Sequence, residues 1–139
     1  MVQLIVGKKG KGKTKHLLDK VNTEVQNVSG NIVYLDKSTK HMYELNNKIR
    51  LIDVSSYLIT NSDEFIGFIS GIISQDHDLE QMYFDSFLKI ACLEEEHLGE
   101  IIQKLEKLSK TFNIDFVISI SVDEEDIPAS DKDKIIVSL

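Results

Sequence analysis

Residues Gly7-Lys8-Lys9-Gly10-Lys11-Gly12-Lys13-Thr14 match the pattern G-x-x-x-x-G-K-[ST] at every fixed position. Each fixed position has a physical role. Glycines let the backbone fold tightly with its N–H groups turned inward toward an anion. Lys13 offers a cation to β- and γ-phosphates, and Thr14 offers a hydroxyl to Mg²⁺. A helix that opens at the same point adds the positive end of its dipole. The expected cofactor is therefore Mg²⁺ with ATP, and the expected binding residues are Gly7, Gly10, Lys11, Gly12, Lys13, Thr14 and Lys15. The pattern does not fix Lys8, Lys9 or Lys11, and each of these taken singly is expected to face solvent.

A second anchor for Mg²⁺ should be an acid at the end of another buried strand, because ligands of open α/β sheets gather at the carboxyl ends of strands. Met82-Tyr83-Phe84-Asp85 has that form, so Thr14 and Asp85 are the expected metal residues. Asp36 and Asp53 also close predicted strands and are the runners-up. His16, His41, His77 and His97 are scattered, with no spacing that suggests a metal site. Ser119 and Ser121 end a strand expected to lie beside the first, and they read chiefly as hydroxyls that satisfy a turn.

These residues need elements to hold them. Residues 2–6 are a short apolar strand that runs directly into the glycine-lysine loop, and Leu17, Leu18, Val21 and Val25 recur at helical spacing from Lys13 to about Gln26. Further strands are expected at 31–35, 50–54, 80–84, 115–121 and 134–138, with a short extra one at Met42–Leu45. Asn61, Ser62 and Asp63 offer caps for a helix over 63–74. The longest helix is expected from Leu93 to about Phe112, with Glu94, Glu95 and Glu96 in its first turn. Strands alternating with helices, several of them continuous apolar runs, predict an α/β three-layer domain with a mainly parallel central sheet.

Composition bounds the rest. The chain has 139 residues, the size of one ordinary domain, and 42% of them are apolar, enough for a real core. With no linker or repeat in view, residues 1–139 are expected to be a single domain. Cys92 is the one cysteine, which fits a reducing, cytoplasmic setting, and it reads as a core filler. The run Met1–Val6 is too short for a signal peptide, and Phe65–Ile73 is far short of the ~20 residues of a membrane span. The net charge is −7, yet Lys8, Lys9, Lys11, Lys13 and Lys15 crowd into one loop. One positive site on an acidic body suits a small polyanion and argues against general nucleic-acid binding.

Leu4-Ile5-Val6, the loop Gly7–Thr14 and Phe84-Asp85-Ser86 resemble the P-loop NTPase superfamily. The chain also looks like a group of small bacterial ATP-binding proteins often labelled twitching-motility-type ATPases. That closer resemblance rests on Val6–Gly10, Arg50–Asp53, Gly67–Ile72 and Phe84–Ile90. It implies a P-loop fold and nucleotide binding but no particular pathway. Many hydrolysing members place a glutamate after the metal-binding aspartate to orient water, whereas Ser86 stands here. Arg50 is the one arginine and opens a strand at the end away from the phosphates. No N-K-x-D segment is present, which favours ATP over GTP. The expected function is thus a protein that binds MgATP and hydrolyses it slowly, if at all. The alternative is a nucleotide-dependent switch or interaction protein. A partner protein or a second copy of the chain could complete the site, and no residue is assigned to catalysis.

Overall fold

A computed structural model describes residues 1–139. Six strands, β1 (Val2–Val6), β2 (Asn31–Asp36), β3 (Ile49–Asp53), β4 (Leu79–Phe84), β5 (Asp115–Ile120) and β6 (Ile135–Ser138), form one sheet in the order β3-β2-β4-β5-β1-β6. Every neighbouring pair is parallel. Parallel strands need crossovers, and the helices α1 (Lys13–Glu24), α2 (Ser62–Gln75), α3 (Phe87–Ile90) and α4 (Leu98–Phe112) lie in them. The α/β three-layer architecture expected from the alternation of elements is the one observed.

Alternation along each strand divides the core into two. Val2, Leu4 and Val6 of β1, Val33 and Leu35 of β2, and Phe116, Ile118 and Ile120 of β5 face the larger cluster, with α2, α3 and α4. Ile5, Ile32, Tyr34, Tyr83 and Val117 face the smaller one, under Leu17, Leu18 and Val21 of α1. This explains why the strands read as unbroken apolar runs: both faces are covered. The larger cluster is keyed by aromatic edges, with Phe84 meeting Phe65, Phe87 and Phe116 at ring-centroid separations of 6.0, 5.9 and 5.6 Å. Helix α2 starts where the Asn61 side chain accepts from the Glu64 N–H at 2.9 Å, while Glu64 accepts from the Thr60 N–H and hydroxyl.

Three expectations fail locally. Met42–Glu44 is a 3-10 turn rather than a strand. Its N–H groups donate to nearby carbonyls, Met42 to Thr39 and Glu44 to His41, and Asn22 of α1 pins it through the Glu44 carbonyl and the Asn46 N–H. The stretch after Asp85 is not one long helix from Leu93. A single turn, α3, ends in a Schellman arrangement, with the Cys92 N–H on Lys89 O and the Leu93 N–H on Leu88 O. Glu95–His97 then form a 3-10 turn before α4 begins at Leu98. Cys92 is exposed, not a core filler, because it occupies the left-handed position of that helix end at φ 51°.

Gly30 marks the tightest approach of backbone to backbone, where β2 starts against β4. A Cβ there would overlap the Asp78 carbonyl oxygen and crowd the Glu80 side chain. Gly30→Ala is expected to destabilise the fold by about 1–3 kcal/mol, as overpacking does. Urea denaturation measures this, and an unchanged midpoint would contradict the close approach.

Candidate functional site

The loop between β1 and α1 can form only because its glycines accept positive φ. Gly7, Gly10 and Gly12 sit at φ 150°, 86° and 96°, conformations that side-chain-bearing residues rarely adopt. Gly7 also has Leu139 packed behind it, so that a Cβ there would lie 3.0 Å from the Leu139 carbonyl oxygen. The loop is fixed from outside as well. The Gly7 N–H donates to Val122 O at 2.8 Å, and the Leu139 N–H donates to Val6 O at 2.9 Å. Lys8 pairs with Asp123 at 3.3 Å.

Lys13 opens α1 and is only 6% exposed. Its ammonium donates to the Lys8 carbonyl at 3.0 Å, across the bowl of the loop. Burial pulls its pKa down and the neighbouring Asp85 pushes it back up. Thr14 follows, and its hydroxyl donates to Asp85 Oδ1 at 3.2 Å. A hydroxyl and a carboxylate meeting beside a glycine-rich loop and a helix N-terminus are the donor set that Mg²⁺ takes together with phosphate oxygens. The residues present therefore fit MgATP.

Asp85 reaches this place by register. In the β2–β4 ladder Tyr34 pairs with Tyr83 and Leu35 with Phe84, and the Asp85 N–H continues the ladder by donating to Leu35 O at 2.8 Å. Tyr34 and Asp36 on β2, and Tyr83 on β4 with Asp85 one residue past its end, thus face the same side, the side that carries α1. The two tyrosine rings stack at 6.4 Å, and the Tyr34 hydroxyl donates to Asp85 Oδ2 at 2.9 Å. Burial first, and then Asp85, pushes the Tyr34 pKa far above its usual value, so this hydroxyl remains a donor.

Asp36 is 2% exposed, as is Asp85. Its Oδ1 accepts from the Lys37 N–H at 2.7 Å, while its buried Oδ2 has no hydrogen-bond partner. Burial and then the adjacent Asp85 raise its pKa. Asp53, the other runner-up, is engaged locally: it accepts from the Ser55 N–H and hydroxyl at 3.0 and 2.6 Å.

A cavity of about 340 Å³ opens over the loop, walled by Lys9, Gly10, Gly12, Lys13 and Thr14 on one side and Lys37, Asp85, Ser86 and Lys89 on the other. Ser119 and Ser121, at the end of β5, also line it. Gly7, Lys11 and Lys15 do not: Gly7 supports the loop from behind, and Lys11 and Lys15 are exposed. Lys9, expected in solvent, is at the wall. Lys37 and Lys89 were not singled out as candidates from the sequence. Lys37 follows β2 and Lys89 rides on α3, so only the strand order brings them here. Arg50 is exposed on the edge strand β3 and does not line the cavity.

No protein-family model matches the chain, and no curated protein matches it. Among solved structures it is similar to the crystal structure of a KaiC-like protein from the hyperthermophilic archaeon Pyrococcus horikoshii, with a TM-score of 0.60 at 19% identity. The match covers 85% of this chain and 61% of the other, so this chain spans less than two thirds of that neighbour's length. The likeness shows the fold, a three-layer α/β architecture around a parallel sheet. No helix is long and apolar enough to cross a membrane.

Ser86, directly after Asp85, is held at φ 53° and ψ 51°, the left-handed region. An L-residue there carries about 1–2 kcal/mol of strain, of which glycine would relieve all but its own entropic cost of roughly 0.5–1 kcal/mol. Ser86→Gly is expected to raise stability by about 0.5–1 kcal/mol, and the β-branched Ser86→Val to lower it. Thermal denaturation of the two variants tests this. A destabilised Ser86→Gly would show that the hydroxyl holds the turn.

Proposed function

We propose that residues 1–139 act as a single nucleotide-binding domain whose loop Gly7–Thr14 holds the phosphates of MgATP, with hydrolysis that is slow or absent. The observation that supports it most is the conjunction at the loop. Glycines at positive φ shape the cradle, Lys13 lies within it, and the Thr14 hydroxyl touches Asp85 at 3.2 Å. In this reading Lys13 exchanges the Lys8 carbonyl for a phosphate oxygen. The N-terminus of α1 supplies its N–H groups and dipole to the same anion. Thr14 and Asp85 hold Mg²⁺, which when bound neutralises phosphate charge. Gly10 and Gly12 lie at the wall, while Lys11 and Lys15 act on the nucleotide at longer range. Lys9, Lys37 and Lys89 add positive charge around the cavity, matching a strongly anionic ligand.

Slow hydrolysis follows from what this wall offers an attacking water. Ser86 sits where a water-orienting glutamate would be expected. An arginine finger contributes about 10³- to 10⁵-fold where one is supplied, and Arg50 is outside the cavity. The same two features support a second reading, a nucleotide-dependent switch that acts on a partner protein or another copy of the chain. A role in motility has no residue-level support beyond the sequence resemblance and is not part of the proposal.

Calorimetric titration with MgATP tests the proposal. Lys13→Ala should weaken binding roughly 10- to 150-fold, the equivalent of about 1.5–3 kcal/mol for a charged hydrogen bond. Equal affinities for wild type and variant would overturn the phosphate role. Phosphate release by the dilute protein should run well below the ~1–100 s⁻¹ typical of kinases. Turnover that climbs steeply with protein concentration would instead mean that a second subunit completes the site.

A further inference from the structure

His41 lies on the turn after β2, and the fold returns it to the two buried carboxylates. One ligand atom each from Asp36, His41 and Asp85 lie within 4.8 Å of one another. An ion with ligands at ~2.0–2.2 Å spans at most about 4.4 Å, so small side-chain adjustments close this set. Three independent features suit a cation here. Asp36 Oδ2 is buried without a hydrogen-bond partner, which is costly for a carboxylate unless something positive approaches it. Asp36 and Asp85 are both 2% exposed, so two like charges share one dry place. Glu44 lies 2.5 Å from His41 Nδ1; in the tautomer with its proton on Nδ1, the imidazole donates to Glu44 and keeps a lone pair on Nε2. That is the carboxylate–histidine arrangement that orients an imidazole toward a metal.

The donor set decides the class of ion. Mg²⁺ and Ca²⁺ take oxygen ligands almost exclusively, whereas imidazole with carboxylate suits first-row transition-metal dications. We propose that Asp36, His41 and Asp85 form a binding site for a transition-metal dication of the Zn²⁺ class, with Glu44 positioning the His41 ring. Asp85 is then common to this site and to its pair with Thr14. The site needs no nucleotide, so its failure would leave the phosphate-loop reading standing, and the reverse holds as well. The turn that carries His41 is itself anchored, because Asn22 of α1 donates to the Glu44 carbonyl at 2.8 Å. The ligand is thereby tethered to the same helix that begins at Lys13.

The test is calorimetric titration of nucleotide-free protein with Zn²⁺ alone, in the presence of excess Mg²⁺. One equivalent is expected to bind. Glu44→Gln should weaken it about 10–100-fold, as loss of a partner behind a ligand does, and His41→Gln should weaken it at least as much. Cys92→Ser and His97→Gln should leave it unchanged, since both side chains are exposed and neither belongs to the set. His41 is on a surface turn, so its variant should fold, and circular dichroism checks that it does. Absence of Zn²⁺ binding by wild type would overturn the proposal, as would equal affinity in His41→Gln and Asp36→Asn, or displacement by Mg²⁺. A second readout is Co²⁺ substitution, whose visible absorption should be lost in His41→Gln.

Discussion

The parallel register between β2 and β4 fixes the chemistry of this molecule. Tyr34 opposite Tyr83 forces Asp36 and Asp85, each two residues further along, to emerge at the carboxyl edge on the face that carries α1. Slipping either strand by one residue would turn its own carboxylate onto the opposite face, that of the aromatic cluster around Phe84. At a separation of ~5 Å and an effective dielectric constant near 20, two such charges repel by about 3 kcal/mol. The raised Asp36 pKa relieves part of this repulsion, and the surrounding groups offset the rest. The Tyr34 hydroxyl and the Thr14 hydroxyl both donate to Asp85, the Lys37 N–H donates to Asp36, and Lys13 lies close enough for Asp85 to lift its pKa.

The loop and the carboxylate edge are mechanically one unit. Lys13 and Thr14 are the first residues of α1, and α1 is seated on Ile5, Ile32, Tyr34, Tyr83 and Val117 through Leu17, Leu18 and Val21. The ring that positions the helix is thus the ring whose hydroxyl holds Asp85. On the far side, β6 pairs with β1 and brings Leu139 behind Gly7. The loop is clamped between these supports, so its backbone N–H groups need little reorganisation to meet an anion, which is what preorganised binding requires.

How much of this was legible in the sequence follows from how local each feature is. The phosphate loop is eight consecutive residues, and its physics is contained within them. Asp85 was legible as the polar end of an apolar run, and the alternation of strands and helices announced the parallel sheet. His41, Lys37 and Lys89 were not legible, because their position depends on β2 lying beside β4, a pairing between segments about 50 residues apart. Met42–Leu45 reads as a strand by residue type, but Asn22 offers its backbone side-chain partners and no ladder. Cys92 reads as core because an apolar run precedes it. Two left-handed residues, Ser86 and Cys92, bracket α3 and turn that cysteine outward, and neither is a glycine that would have announced the turn.

Those two residues bear on function as well as on geometry. The single turn of α3 places Lys89 at the wall of the cavity and Ile90 and Cys92 at a second hollow of about 320 Å³ beside it, which also shares Lys37. The second hollow is mostly apolar, with Val54, Tyr57 and Ile59. A ligand on the phosphate loop would therefore have, within one or two side-chain lengths, two lysines that also border an apolar recess. If a nucleotide sits there, positive charge near its phosphates is well provided, whereas a group to deprotonate or orient water is not, since Ser86 is a poor acceptor and the nearby carboxylates are engaged or facing one another. On the proposed reading, the site is suited to holding an anionic ligand rather than to rapid cleavage.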